Sequence, residues 1–220
     1  MKKKALFSWS GGKDSAFALY EILKDKKYEI ASLLTTVNEA YQRSSMHGIR
    51  RVLLEEQARA LGFPLEEVFI SKNSSSEEYE TKMRETLGKY LASGVSSVIF
   101  GDVFLEDVRK YREDKLSKVG MEAVFPIWKR DTGRLARSFI KLGFKAVTTC
   151  VDTKFLGKGF VGRDFDEQFL RELPPAVDPA GENGEFHSFV YAGPLFRNEV
   201  AFTKGEVVLR DKRFYYCDLY

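Results

Sequence analysis

The segment Lys4–Leu19 (KALFSWSGGKDSAFAL) limits what this chain can fold into more tightly than any other stretch. An apolar, strand-like run through Ala5, Leu6, Phe7 and Trp9 empties into Ser10-Gly11-Gly12-Lys13-Asp14-Ser15. A helix-like run (Ala16, Phe17, Ala18, Leu19, Ile22, Leu23) follows at once. Paired glycines admit backbone angles closed to other residues and let the main chain approach a ligand. The free N–H groups and positive end of a helix that starts here suit an anion. Ser10 and Ser15 add hydroxyl donors, Lys13 adds charge, and Asp14 is placed to hold a cation that travels with a polyphosphate. The segment reads as a phosphate cradle in a strand–loop–helix unit.

It is not a Walker A loop, which needs a glycine five residues before its Gly-Lys pair and Ser or Thr directly after the lysine. Phe7 and Asp14 hold those positions. A second Gly-rich run, Gly157-Lys158-Gly159-Phe160-Val161-Gly162, matches the GxGxxG dinucleotide fingerprint letter by letter. Asp152–Leu156 separates it from the preceding strand-like run, and no βαβ unit surrounds it, so it is expected to shape the cleft and not to bind a dinucleotide.

Around the cradle, the first half alternates strand-like and helix-like patterns. Glu29–Val37, Leu65–Ile70, Ser97–Phe100 and a run through Val124-Phe125 read as strands. Ile49, Val52, Leu53, Ala60 and Leu61, then Tyr79, Met83, Leu87, Tyr90 and Leu91, then Leu105–Val119, read as helices. Ser71–Ser76 supplies helix-capping serines between them. Such alternation predicts an α/β domain, a Rossmann-like parallel sheet with helices on both faces and its ligand beyond the carboxyl ends of the strands. After Pro126 the pattern changes: a helix at Thr132–Leu142, a strand at Ala146–Val151, loops to Pro174-Pro175, then short β-type runs (FHSFVYAG, EVAFTKG, EVVLRD, RFYYCDLY) that suggest hairpins. The expected division is a phosphate-binding domain over residues 1–126 and a smaller α+β domain over 127–220, packed across a cleft.

Bulk properties exclude several classes. A net charge of +3 is too small to signal nucleic acid. Cys150 and Cys217 stand far apart with no CxxC pair, against a disulfide framework or a cysteine-ligated metal. No segment has the length of a membrane span, and the apolar run after Met1–Lys4 stops at Ser10, so a cytoplasmic location is expected. The β-rich Phe202–Tyr220 offers an edge on which a homodimer would pair.

Beyond the cradle, Gly181–Phe189 (GENGEFHSF) gathers Glu182, Asn183, Glu185 and His187 around Gly184. Two acids, an amide and an imidazole suit acid–base chemistry, orientation of a carboxyl or ammonia nucleophile, or a metal; a hairpin turn with a hydrogen-bonded histidine is the alternative. Gly101-Asp102 ends a strand, which aims Asp102 into the same cleft unless it caps the following helix. His47-Gly48 follows the polar loop Asn38–Ser45, and Arg109, Arg112 and Arg163 are candidate anion contacts.

Taken in order, SGGKDS, Met46-His47-Gly48, Gly101-Asp102, Phe125-Pro126-Ile127-Trp128, Gly162-Arg163-Asp164 and GENGEFHSF resemble the diphthine–ammonia ligase family, within the N-type ATP pyrophosphatases that carry a PP-loop. The resemblance implies a HUP-type α/β domain with a C-terminal substrate domain. It implies ATP and Mg²⁺ as cofactors, ammonia as nitrogen donor, and amidation of diphthine on a translation elongation factor. By it, Ser10, Gly11, Gly12, Lys13, Asp14 and Ser15 bind the ATP phosphates, with Asp14 assisting Mg²⁺. Lys13, Asp14, Asp102, Glu185 and His187 are the catalytic candidates; His47, Gly48, Arg112, Glu182, Asn183, Gly184 and Glu185 line the acceptor or ammonia side. The family's Glu-Tyr-Gln-Arg-x-Arg after the Gly-Asp pair is replaced here by Glu106-Asp107-Val108-Arg109-Lys110-Tyr111-Arg112, as in a second branch, which opens the acceptor to an unknown small carboxylate. A thiolating or RNA-modifying enzyme, an adenine-nucleotide α-hydrolase and a non-catalytic nucleotide-binding module are the alternative functions.

Overall fold

The computed structural model describes residues 2–44, 47–72 and 74–220, so Met46, Ser45 and Asn73 of the expected motifs lie outside the described residues. Strand β1 (Lys3–Ser8) alternates strictly. Ala5 and Phe7 join a core with helices α1 (Lys13–Asp25) and α2 (Arg51–Leu61), while Leu6 joins a second core with α3 (Ser76–Ala92) and α4 (Glu106–Ser117). The two-residue period of a strand thus places helices on both faces of the sheet.

That sheet contains five parallel strands: β1, β2 (Tyr28–Asn38), β4 (Leu65–Ile70), β5 (Ser97–Ile99) and β6 (Glu122–Val124). Their spatial order is β4-β2-β1-β5-β6, and the two-residue β3 (Arg43–Ser44) pairs antiparallel with the end of β2. Counting the parallel strands alone, this is the doubly wound order 3-2-1-4-5, whose direction reverses between β1 and β5. The crevice at that reversal is where both Ser10–Ser15 and Gly101-Asp102 emerge.

After α5 (Thr132–Lys141), a second, antiparallel sheet forms in the order β8-β7-β10-β9 from β7 (Lys145–Asp152), β8 (Phe186–Ala192), β9 (Lys204–Arg210) and β10 (Phe214–Leu219). Only β9–β10 is a hairpin between chain neighbours; β8 instead pairs with the distant β7. Glu199–Gly205 is strand only from Lys204, and the stretch expected to be loop contains α6 (Glu167–Glu172), capped by the Asp166 carboxylate, which accepts from the Phe169 N–H. Val52 and Leu91, counted in apolar helix faces, are 50% and 38% exposed. No helix among the described residues is long and apolar enough to cross a membrane.

The two sheets share one core and meet at the cradle. Gly11 adopts φ +79°, and its carbonyl accepts from the Val190 N–H on the free edge of β8 and from the Gln57 side-chain amide, each at 2.9 Å. Gln57 is fully buried; it donates also to the Val190 carbonyl at 2.6 Å and accepts from the Trp9 indole at 2.9 Å. A buried donor or acceptor stripped of its partner costs about 1–3 kcal/mol. Gln57→Leu fills similar space but strands the Trp9 N–H and the Val190 carbonyl, so chemical denaturation is expected to show a loss of about 2–4 kcal/mol. A loss below about 0.5 kcal/mol, the range of ordinary surface changes, contradicts this account.

Candidate functional site

The cradle is tied into a ring by its own hydrogen bonds. The Gly12 N–H donates to Ser10 Oγ at 3.3 Å, Ser10 donates to Ser15 Oγ at 3.1 Å, and Ser15 donates back to the Gly12 carbonyl at 2.8 Å. Gly12 is the N-cap of α1 and brings no side chain to cover the helix end. Directly beside it, Gly101 comes so close that an added Cβ would stand 2.9 Å from the Ser15 backbone nitrogen, so the β5 loop can abut the cradle only with glycine there.

Lys13 is 3% exposed, an unusual place for an ammonium group. Its backbone N–H donates to Ser188 Oγ at 3.2 Å, and its Nζ pairs with Asp14 at 2.8 Å while lying over the Phe186 ring, 5.1 Å from the centroid. Phe186 and Ser188 belong to β8, so the second domain builds the floor under the first domain's lysine. Asp14 Oδ1 is buried without a partner. Burial lifts the Asp14 carboxyl above its ordinary range more than Lys13 lowers it, and Asp178 and Asp102 push the same way as burial.

The segment from Gly181 divides in two: a turn, then strand β8 from Phe186. Its acids face in different directions. Glu185 is 1% exposed and accepts from the backbone N–H groups of Asp178 and Asn183 and from the Asn183 amide, each at 3.0 Å. It shapes the loop from within and is absent from the cleft wall, where it was expected to act. Asp178 does the same, accepting from Ala180 and Glu182 N–H groups and from the Thr132 hydroxyl. Glu182 reaches outward: Oε1 accepts from Val103 at 2.7 Å and Phe104 at 3.2 Å, bridging to the β5 loop. Burial first, then the charge of Asp14, raises Glu182 to about 7.

His187 and His47 face each other with centroids 4.5 Å apart. Burial, reinforced by Lys13, pushes His187 down to about 4. Burial, then His187 and Lys13, hold His47 well below the usual histidine range against a backbone hydrogen bond at Ser188. Asp102 does not cap α4, whose N-cap is Leu105; it pairs with Arg112 at 2.8 Å.

A cleft of about 610 Å³ gathers Ser10, Gly12–Ser15, His47, Asp102, Arg112, Glu182, Asn183, Gly184, His187 and Ser188. A cavity of about 630 Å³ adjoins it between α3 and α4, lined by Thr35, Met83, Val98 and Phe100 among others. Three expected contacts fall elsewhere. Gly48 packs on the Tyr216 ring; Arg109 pairs with Glu113 and stacks on Trp128; Arg163 pairs with Glu172. The Gly157–Gly162 run does not line the cleft either: it forms a single 3₁₀ turn and bonds to β7 through Thr148. Gln57 and Asp178 were not singled out from the sequence, and Ser188 only as part of GENGEFHSF; Gln57 carried a signal, as an amide on the apolar face made by Leu53, Leu54, Ala58 and Leu61.

Glu182 gives a pH test. Its folded-state value of about 7 lies above the ordinary 4.5, so the folded protein holds this proton more tightly than the unfolded chain. The stability this contributes is complete below 4.5 and lost as pH rises through about 7. Glu182→Gln keeps an oxygen for Val103 and Phe104 and removes the desolvated charge. It is expected to melt a few degrees above the parent at pH 8 and level with it at pH 4.5, measured by thermal unfolding; equal melting at pH 8 refutes it.

Comparison with family models matches residues 1–123 to the diphthamide synthase N-terminal domain and residues 131–218 to the diphthamide synthase C-terminal domain. Among curated proteins no match is found.

Proposed function

The chain belongs to the diphthamide synthase family, and we propose that it is an ATP-dependent, AMP-forming ligase that adenylates a carboxylate and amidates it with ammonia. The observation that carries this reading is the junction itself. The buried Lys13 of the phosphate cradle rests on Phe186 and Ser188, in the segment whose Glu182 and His187 line the same cleft. A polyphosphate site and a site with acid–base groups therefore share one wall.

In this mechanism the cradle N–H groups, Ser10, Ser15 and Lys13 hold the β- and γ-phosphates, and the α3–α4 cavity takes the adenosine. The acceptor carboxylate attacks the α-phosphorus and pyrophosphate leaves; ammonia then attacks the acyl-adenylate carbonyl and AMP leaves. Glu182, balanced near neutral pH, takes the proton shed by the incoming nitrogen. Asp102 and Arg112 hold each other at the cleft wall, and Asn183 and Gly184 form its acceptor side. Rate comes from positioning and charge neutralisation, with no covalent bond to the protein.

Mg²⁺ fits this wall at Asp14, whose Oδ1 is buried without a partner. Bound with the nucleotide, the ion would neutralise charge on the departing pyrophosphate. The described residues hold no cluster of three or more metal-ligating side chains, so phosphate and water oxygens would complete its shell, as is usual for this ion. Diphthine on an elongation factor is the acceptor that the family suggests. A small carboxylate is the second reading: Glu106–Arg112 departs from the family's pattern, and its Arg112 lines the cleft as well as the adenosine cavity.

Product analysis of Mg-ATP with the protein, ammonia and a cell extract tests the proposal. AMP and pyrophosphate are expected only with extract present. Asp14→Asn, which keeps an oxygen for the buried Lys13 ammonium, is expected to lose at least about 100-fold in that rate, with its melting temperature measured alongside to show that the variant is folded. Full activity in that variant sinks the assignment, and AMP release without an acceptor turns it into an α-hydrolase.

A further inference from the structure

Ser8, Ser10, His47, Phe100 and Arg112 line both the cleft and the α3–α4 cavity, and among these described residues Arg112 is the one cation. Two contacts fix its guanidinium. Nε stands 2.8 Å from Asp102 Oδ2 and Nη2 donates to Asp102 Oδ1 at 3.2 Å, so one edge of the fork is spent. One face lies over the Phe100 ring, 4.3 Å from its centroid. Among the described residues nothing accepts from Nη1, and the side chain is 29% exposed. The donors left for a ligand are therefore Nη1 and the outer N–H of Nη2. The ion pair is felt on both sides of the wall. Burial raises the Asp14 carboxyl in the cradle, and the Asp102 charge adds to it. Burial raises the Tyr79 phenol in the cavity, and the Arg112 charge opposes it.

We infer that Arg112 is a catalytic residue whose remaining N–H groups hold a non-bridging oxygen of the α-phosphate. The inference rests on the ATP reading: for a nucleotide with adenosine in the cavity and its terminal phosphates in the cradle, the group at the shared wall is the α-phosphate. Adenylation asks for such a donor. A carboxylate oxygen bonds to the α-phosphorus, the bond to the pyrophosphate oxygen breaks, and its electron pair leaves with pyrophosphate. No proton moves, while negative charge gathers on the non-bridging oxygens, so the useful group offers N–H donors and keeps its protons. A guanidinium does both, being charged at any working pH with its donors in one fixed plane. The other cation at this site, Lys13, is committed to Asp14.

Calorimetric titration of the full chain with AMP, with adenosine and with inorganic pyrophosphate, all with Mg²⁺ present, tests this on the parent, Arg112→Met, Asp102→Asn and the double variant. Methionine keeps an apolar stem over Phe100 and removes every N–H. Arg112→Met is expected to weaken AMP about tenfold or more, the loss of a charged hydrogen bond, and to leave adenosine and pyrophosphate within about twofold. Unchanged adenosine binding also shows that the cavity is still folded. An unpaired Asp102 would itself repel the phosphate, so the double variant decides. Compared with Asp102→Asn alone, it is expected to lose AMP affinity to a similar extent. A double variant that binds AMP as tightly as Asp102→Asn shows that Arg112 only masks Asp102, and overturns the inference. So does AMP left unaffected by Arg112→Met, or adenosine or pyrophosphate weakened as much as AMP. A parent protein that binds neither AMP nor adenosine refutes the ATP reading itself, and this inference with it.

Discussion

The structure depends on one carbonyl. Gly11 lies where the first sheet hands its chain to α1, and its oxygen accepts from both Gln57 and β8. A buried loop of Ser and Gly has no apolar side chains with which to hold itself in place, and its peptide groups must still find partners. Gln57 provides them, with three hydrogen bonds from one fully buried amide. The same contact closes the exposed edge of β8, an edge that an antiparallel sheet must otherwise protect. The cradle therefore takes its shape only when both sheets are in place, and the cradle and the domain junction are one feature.

Charge follows from that placement. Carrying Lys13 into the junction desolvates its ammonium, and the surroundings answer with Asp14 on one side and the Phe186 face on the other. Acids nearby then repel one another: Asp14 rises through burial and its neighbours, and Glu182 rises to about 7 through burial and Asp14. The imidazoles answer in the opposite sense, losing their protons to the same burial and to Lys13. One buried cation thus accompanies an acid balanced near neutrality and two uncharged histidines within a single cleft.

Much of this was legible in the sequence, for identifiable reasons. The alternation of Ala5, Leu6 and Phe7 encodes a sheet covered on both faces, and the position of SGGKDS between strand and helix encodes the cradle. Less legible were features decided by distant partners. Glu199–Gly205 has strand-like composition, yet only Lys204 and Gly205 find a partner strand in β10. The single-turn scale of α6, six residues, leaves too few apolar positions for a helical period. Gly48 and His47 are adjacent in sequence, but one packs on Tyr216 and the other on the cradle, a division no local pattern records.

The acids of the 178–185 loop show how function separates from composition. Asp178, Glu182 and Glu185 are the same chemistry within eight residues, and a sequence offers no ground for ranking them. Their hydrogen bonds do. Glu185 spends its oxygens on N–H groups of its own loop, and Asp178 spends one on such groups and the other on the Thr132 hydroxyl, which ties the turn down on both sides. Glu182 fixes one oxygen on Val103 and Phe104 and has a second for the cleft. A buried and a half-buried carboxylate hold the loop so that a third can stand at the wall and titrate near neutral pH. The rigid support and the adjustable acid thus come from one short turn, so neither can shift without the other.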